Sequence, residues 1–255
     1  MTYLFQNQIQ LIKTMVTFKL EAESKRTYAG YFWWLFEPLM NVFIYYLLFK
    51  VFFKRGGDDY IQFLFLGLII WKWFSDCLMK TSDCIKSQKV LISKIYIPKY
   101  VFPSVEVFYA TFKFLIIFLI TCMVLSFIGY PFHLRYLLLP FILFTVLILT
   151  LGLSFIFAAL TPLFPDVKFL LGHFLRLAFY PSGILFSIEN IPEKYHFLVK
   201  YNPVAQLISF VRDIILYRTV PDLNSWAVVF IFSSMLLGLG LILLKRFDRV
   251  YARVI

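Results

Sequence analysis

The chain has 255 residues, of which 61% are hydrophobic, 21% aromatic and only 15% charged, with a formal net charge of +11. A soluble domain is closer to ~45–50% apolar and ~25% charged, so a chain of this composition takes lipid as the main solvent for its surface. Its basic residues are scattered between apolar runs, the pattern of cytoplasmic loops on a membrane protein, which argues against a nucleic-acid-binding face.

Residues 3–23 come first. They set Phe5, Ile9, Ile12, Val16 and Leu20 on one helical face, and Asn7, Gln10, Lys13, Thr14 and Thr17 on the other. This predicts an amphipathic helix lying in the membrane interface; a cytoplasmic helix packed on a partner has the same pattern. No small-residue cleavage site is present, so no cleavable signal peptide is expected.

A spanning helix needs ~20 mostly apolar residues. Six segments meet that need, at about 32–53, 60–79, 101–128, 136–160, 168–188 and 225–244. The second carries Lys72 and Asp76, and the fifth carries His173, Arg176 and Pro181, so these two are the least like lipid-facing helices. With both termini cytoplasmic, the inside segments hold fourteen Lys and Arg and the outside segments seven. That asymmetry favours this orientation, and an even number of spans agrees with it.

Between the second and third spans, KTSDCIKSQKVLISKIYIPKY has five lysines before Tyr100 and a short apolar core at Val90-Leu91-Ile92. A short amphipathic helix there suits docking into a groove on a soluble partner. A basic loop facing anionic lipid fits equally well. Residues 189–224 contain NPVAQLISFVRDIILY, apolar at helical spacing but interrupted by Arg212 and Asp213. Backbone cannot be left unpaired in lipid, so this outer stretch is expected as re-entrant or interfacial helices. No internal repeat is visible, and the chain reads as a single all-α membrane domain over 1–255.

No catalytic signature is present: GxxxxGK[ST] is absent, and Cys77, Cys84, Cys122, His133, His173 and His196 have no metal-ligand spacing. Gly238 and Gly240, inside the last span, read as helix-packing positions. Charge inside the spans is the more informative feature. Glu37, Lys72, Glu106 and Arg176 fall at one depth, roughly 8–12 Å below the inner surface at ~1.5 Å per residue. An unpaired charge in lipid costs at least ~2.5–3.5 kcal/mol, so pairing of Glu37 with Lys72 or Arg176 is expected. A hydrated gate lining and static inter-helix pairing both account for such a slab. Pro38, beside Glu37, is near its helix start, where a missing N–H costs least.

The first span and its approach are crowded with aromatics, including Tyr31, Trp33, Trp34, Tyr45, Tyr46 and Phe49. Interfacial anchoring accounts for Tyr31 to Trp34. Tyr45 and Tyr46 lie deeper, where either ordinary helix packing or stacking against sugar rings explains an aromatic face with a polar tip.

Several stretches together resemble a known family: AGYFWWLFEPL after the amphipathic helix, KVLISKIYIPK in the inner loop, LTPLFPDVKFLL after the fourth span, and FSIENIPEKYHFLVKYNPVAQLISFVRDIIL outside. They look like the membrane subunit of ATP-binding-cassette exporters of lipid-linked polysaccharide, the O-antigen, capsule and teichoic-acid permeases. Phe164-Pro165-Asp166 stands where many O-antigen permeases have Phe-Arg-Asp, which looks closer to the capsule-type branch.

The resemblance implies a homodimer of six-span subunits in the bacterial inner membrane, with two copies of a separate ATPase that binds ATP and Mg. It makes Lys86, Ser87, Lys89, Leu91, Ile92 and Lys94 a coupling helix, with Asp166 in a second ATPase contact. Tyr201, Asn202, Pro203 and Arg212 become part of an outer gate. The polymer path then runs between subunits along the first and fifth spans. Lys25 and Arg26, at the inner surface, and Arg176 have the sign and position to attract a lipid pyrophosphate. An exporter of a drug or lipid, and an integral-membrane enzyme acting on lipid-linked sugars, are the alternatives. The high aromatic content argues against the first, and the absence of a carboxylate or histidine cluster at one membrane face argues against the second.

Overall fold

A computed structural model describes residues 2–26, 32–47, 51, 59–186 and 192–254, all helical or in turns and connecting segments, with no strand among them. Tyr31 and Phe49 lie outside the described residues, as do the side chains of Arg26, Trp34 and Tyr45. In chain order the α-helices are α1 (Thr2–Arg26), α2 (Phe32–Tyr46), α3 (Tyr60–Ser82), α4 (Cys84–Ser87), α5 (Lys89–Lys94), α6 (Val101–Ile128), α7 (Leu139–Leu160), α8 (Asp166–Phe179), α9 (His196–Lys200), α10 (Pro203–Ile215) and α11 (Leu223–Val254).

Four stretches among the described residues are long and apolar enough to cross a membrane: Tyr60–Ser82, Val101–Ile128, Leu134–Leu160 and Leu223–Asp248. The other two expected spans are described as shorter helices. In α2, 15 residues are described, and α8 has 14. The helix expected over 168–188 stops at Phe179, passes through one 3-10 turn at Tyr180–Ser182, and turns at Gly183, where φ is 65°. Pro181 has no N–H to continue the ladder, and only glycine adopts the left-handed turn at little cost.

The segment least like a lipid-facing helix, α3, lies in the middle of the bundle, against α2, α6, α7, α8 and α10. On one side Trp73 stacks on Phe114 of α6, with ring centroids 4.6 Å apart and planes within 19°. On the other, Trp71 meets Phe179 of α8 edge to face at 5.9 Å. The charges of α3 therefore point between helices. The lipid-compatible surface is elsewhere: Val228, Ile231, Met235, Leu239 and Ile242 are exposed along one stripe of α11 at spacings of three and four residues.

The amphipathic helix is one continuous rod, and it runs along α6. Leu11, Ile12, Met15 and Val16 pack into a cluster with Val101, Phe102 and Tyr251. Ile9, expected on the apolar face, is 55% exposed. Ile12, Val16 and Leu20 of the predicted stripe do pack, and polar bonds fasten the same helix: Tyr100 to Gln8, Lys19 to Glu106, and Glu23 to both Tyr109 and Lys113.

The closest helix–helix approach is between α7 and α11. A Cβ on Gly152 would lie 2.6 Å from the Leu237 backbone nitrogen, and one on Gly240 would lie 2.6 Å from Phe155 Cβ and 2.9 Å from the Gly152 carbonyl oxygen. Small residues let the two backbones meet where no hydrophobic effect drives association. Gly238, the other glycine expected to pack, has no neighbour within 4 Å at that position. Trp226 Nε1 donates to Thr145 Oγ1 at 3.0 Å, and Tyr251 donates to the Ala159 carbonyl at 2.9 Å, so the same helix pair is also tied by hydrogen bonds near both its ends.

Gly240→Val is expected to destabilise the fold by roughly 1–3 kcal/mol through overpacking against backbone. Gly238→Ala is expected to be neutral or stabilising by up to about 1 kcal/mol through helix propensity. Thermal unfolding of the detergent-purified protein separates the two.

Candidate functional site

Among the described residues, three polar regions interrupt the apolar bundle. The first is centred on Lys72 of α3. Its Nζ lies 2.9 Å from Glu37 Oε1 on α2 and 3.1 Å from Asp76 Oδ2 one turn along its own helix. One cation thus lies between two carboxylates, and the Glu37 side chain, 62% exposed, is met by a half-buried lysine. Asp76 was not among the residues singled out from sequence, although its spacing of four from Lys72 puts both on one helical face. The four residues expected at one depth do not form one constellation. Glu106 pairs instead with Lys19 of α1. Arg176 of α8 faces a cavity of about 570 Å³ between α3 and α8, where Lys72 and Asp76 also contribute. Trp71, Phe179 and Tyr180 supply the aromatic wall of that cavity.

Of the aromatics expected along a substrate path, Trp33 is exposed and meets Phe36 edge to face at 5.6 Å, while Tyr46 is half-buried. Trp33 also lines a cavity of about 150 Å³ that it shares with Glu37, Lys72, Asp76 and Lys113. Trp71 and Tyr180 were missed because each reads as an ordinary apolar or interfacial residue until the fold sets α3 beside α8.

The second region is at the end of α3. Lys168, in the first turn of α8, lies 2.9 Å from Asp83, which sits at the junction of α3 and α4. Beside it, Lys19, Lys80 and Lys113 all approach the Tyr109 ring, at 5.0, 5.9 and 5.4 Å from its centroid. Burial pushes the Glu23 carboxyl up, but the bonds from Lys113 and Tyr109 and the charge of Lys113 more than offset this, so it titrates below the ordinary carboxylate value. A lowered carboxylate contributes stability above its unfolded pKa and loses it as pH falls through the folded one. The attachment of α1 to α6 is therefore in place at neutral pH.

From this region α4 and α5 project. Cys84 and Ile85 are buried and anchor α4, whereas Ser87, Lys89 and Lys94 are exposed and Lys86, Leu91 and Ile92 are half-buried. Val90 is 69% exposed, so α5 presents a mixed basic and apolar surface. The chain after α5 is fastened to α11: Tyr96 donates to Asp248 at 2.7 Å, and buried Lys99 lies 3.6 Å from the same carboxylate. Asp166 is exposed at the start of α8, and Lys25 is exposed near the end of α1.

The third region surrounds Arg212 of α10, only 4% exposed. Its guanidinium donates to the carbonyls of Phe63 (3.0 and 2.8 Å), Gly183 (2.6 Å) and Ile184 (3.1 Å), and lies 3.4 Å over the Phe63 ring. The Gly183 and Ile184 carbonyls are left without helical partners where α8 gives way, and Arg212 supplies donors for them. Gly67 makes room: a Cβ there would lie 2.4 Å from Arg212 Nη2. The preceding Asn202-Pro203 has a local structural role. Asn202 Oδ1 accepts from the backbone N–H groups of Val204 (3.0 Å) and Ala205 (3.4 Å), and Pro203 opens α10 where no N–H is needed. Tyr201, beside them, is 79% exposed.

Lys72→Met leaves Glu37 and Asp76 facing each other, whereas Glu37→Gln leaves Lys72 still paired with Asp76. The lysine substitution should therefore be the more damaging, by roughly 1–2 kcal/mol after allowance for partial exposure. The pair of substitutions made together should cost less than the sum of the two. Gly67→Ala should act like removal of Arg212, lowering the melting temperature of the purified protein, with Asn202→Ala costing only about 1 kcal/mol. Equal loss from Lys72→Met and Glu37→Gln would refute the forked arrangement.

The model of the ABC-2 type transporter family matches residues 10–216. Among curated relatives, an O-antigen export system permease protein RfbA of Klebsiella pneumoniae is 26% identical over 259 residues, which cover 99% of this chain and 96% of the relative. A protein of the same description from Myxococcus xanthus is 24% identical, covering 83% of this chain and 82% of its own length. The polysialic acid transport protein KpsM of Escherichia coli is 22% identical, covering 85% of each. With four apolar spans among its described residues and a family match over most of its length, the chain belongs to the ABC-2 type transporter family.

Proposed function

We propose that this chain is the membrane subunit of an ATP-binding-cassette exporter that moves lipid-linked polysaccharide, of the O-antigen or capsule kind, across the bacterial inner membrane. The observation that carries the reading is similarity along nearly the whole chain to permeases described as exporting O-antigen and transporting polysialic acid. In this reading α2 and α8, with the chain that follows each, complete six spans, and both termini are cytoplasmic. Two copies of the chain pair, and two copies of a separate ATPase bind ATP and Mg below them.

The short helix α5 is the coupling helix. Its exposed Lys89, Val90 and Lys94 suit a groove on the ATPase. The Lys168–Asp83 pair would pass displacement of that helix to α8. Outside, α9 and α10 form the gate, hung on Arg212. The aromatic surface of α2, with Trp33 and Tyr46 among its described side chains, lines the path, and Lys25 and Arg26 attract the lipid pyrophosphate at the inner surface.

Depletion of the protein in its host tests the reading. Long undecaprenyl-linked glycan should accumulate on the cytoplasmic side while surface polymer disappears. Arrest of glycan synthesis with no inner pool would point instead to an enzyme acting on lipid-linked sugar. Charge reversal at Lys89 and Lys94 together should release the ATPase in co-purification while leaving the permease inserted and folded. Undiminished co-purification would remove α5 from the coupling role.

A further inference from the structure

Resting on the exporter reading, we propose that the cavity between α3 and α8 is a binding station for a sugar unit that carries a negative charge. Its volume of about 570 Å³ falls within the ~300–1,000 Å³ of small-ligand sites, enough for a sugar and its neighbour. One wall is aromatic and bent. Trp71 and Phe179 meet at 65° with centroids 5.9 Å apart, and Phe179 and Tyr180 meet at 78° and 5.6 Å. Such a wall takes the C–H face of a pyranose and leaves its hydroxyl edge free. Ser75 and Asp76, one turn along α3 from Trp71, offer polar groups to those hydroxyls.

The charge preference comes from Arg176. Lys72, the other cation of the cavity, is already engaged by Glu37 and Asp76, whose two carboxylates more than offset it, so Arg176 is, among the described residues, the one cation of the cavity left for an incoming anion. Arg176 makes no hydrogen bond or ion pair among the described residues, although it stands eleven residues into α8 on the cavity wall. An ionisable side chain on a segment within the membrane needs a partner, and its default reading is functional. The guanidinium fork matches a carboxylate or phosphate with two parallel hydrogen bonds, a geometry a lysine does not reproduce. A uronate, a sialate or a phosphate-bearing sugar supplies both the ring for the aromatic wall and the anion for Arg176. A neutral sugar satisfies only the wall, and a bare lipid phosphate only the arginine.

The test uses the permease–ATPase complex in lipid nanodiscs and two radiolabelled probes of equal length, tetragalacturonate and maltotetraose. Tetragalacturonate should bind at least roughly tenfold more tightly, since charge-assisted bonds are about twice as strong as neutral ones. R176Q should erase that difference and R176K should restore part of it. W71L should weaken both probes. Arg176 is exposed, so its variants are expected to leave folding intact.

Equal binding of the two probes, or an acid preference that survives R176Q, would overturn the proposal. So would displacement of tetragalacturonate by sugar-free undecaprenyl pyrophosphate bound through Arg176, since the anion recognised would then be the lipid's. If the complex exports glycan from vesicles yet binds neither probe, the station falls and the exporter reading stands. If depletion leaves surface glycan untouched, the exporter reading falls whatever the probes do.

Discussion

In hydrocarbon a charge or an unpaired carbonyl has no water to turn to, and that constraint explains the arrangement of this bundle around α3. The helix carrying Lys72 and Asp76 is sheathed by α2, α6, α7, α8 and α10. Its polar stripe meets Glu37 on one side and the cavity of Arg176 on the other. Arg212 answers the same constraint at the opposite end. When Pro181 and Gly183 break α8, they release carbonyls that an apolar neighbour cannot satisfy, and one buried guanidinium on α10 takes them up together with the Phe63 carbonyl of α3. α10 and the turn after α8 are thereby tied to α3 by a residue that cannot be replaced by another cation without losing the fork.

The end of the bundle that carries α4 and α5 is organised by ion pairs between elements far apart in sequence. Lys19 with Glu106 and Glu23 with Lys113 fasten α1 to α6, Lys168 with Asp83 fastens α8 to the start of α4, and Lys99 with Asp248 fastens the chain after α5 to α11. The loop bearing α4 and α5 is thus held at both ends by charged contacts to helices that enter the apolar layer. That loop is therefore linked to both α8 and α11. Surface pairs of this kind contribute little to stability singly, and their value here is connection.

How far the sequence shows this follows from the range of each interaction. Apolar length is local, so the four long spans stand out directly, and Asn202-Pro203 announces the start of α10 in the same way. The charge of Glu37 required a partner at its depth, and Lys72 was one of two that sequence offered. Position around the helix axis is not local. Nothing in the sequence sends Glu106 toward Lys19 and away from the seam, and nothing marks Gly240 as a contact while Gly238 is free. The predicted apolar stripe of α1 packs at Ile12, Val16 and Leu20 but leaves Ile9 exposed, and nothing in the sequence announces the polar partners that Gln8, Lys19 and Glu23 find on Tyr100 and α6. The aromatic wall of the α3–α8 cavity joins residues more than a hundred positions apart, which only the fold assembles.

The glycine contact between α7 and α11 has a mechanical consequence. Backbones that meet at Gly152 and Gly240, with hydrogen bonds near both ends, have no side-chain layer to shear, so the two helices move as one stiff plate. By contrast α8 is short, ends in a 3-10 turn and borders the cavity that α3 lines. If the α7–α11 pair is the stator of this bundle, α8 is the wall with room to move, next to Lys72, Asp76 and Arg176.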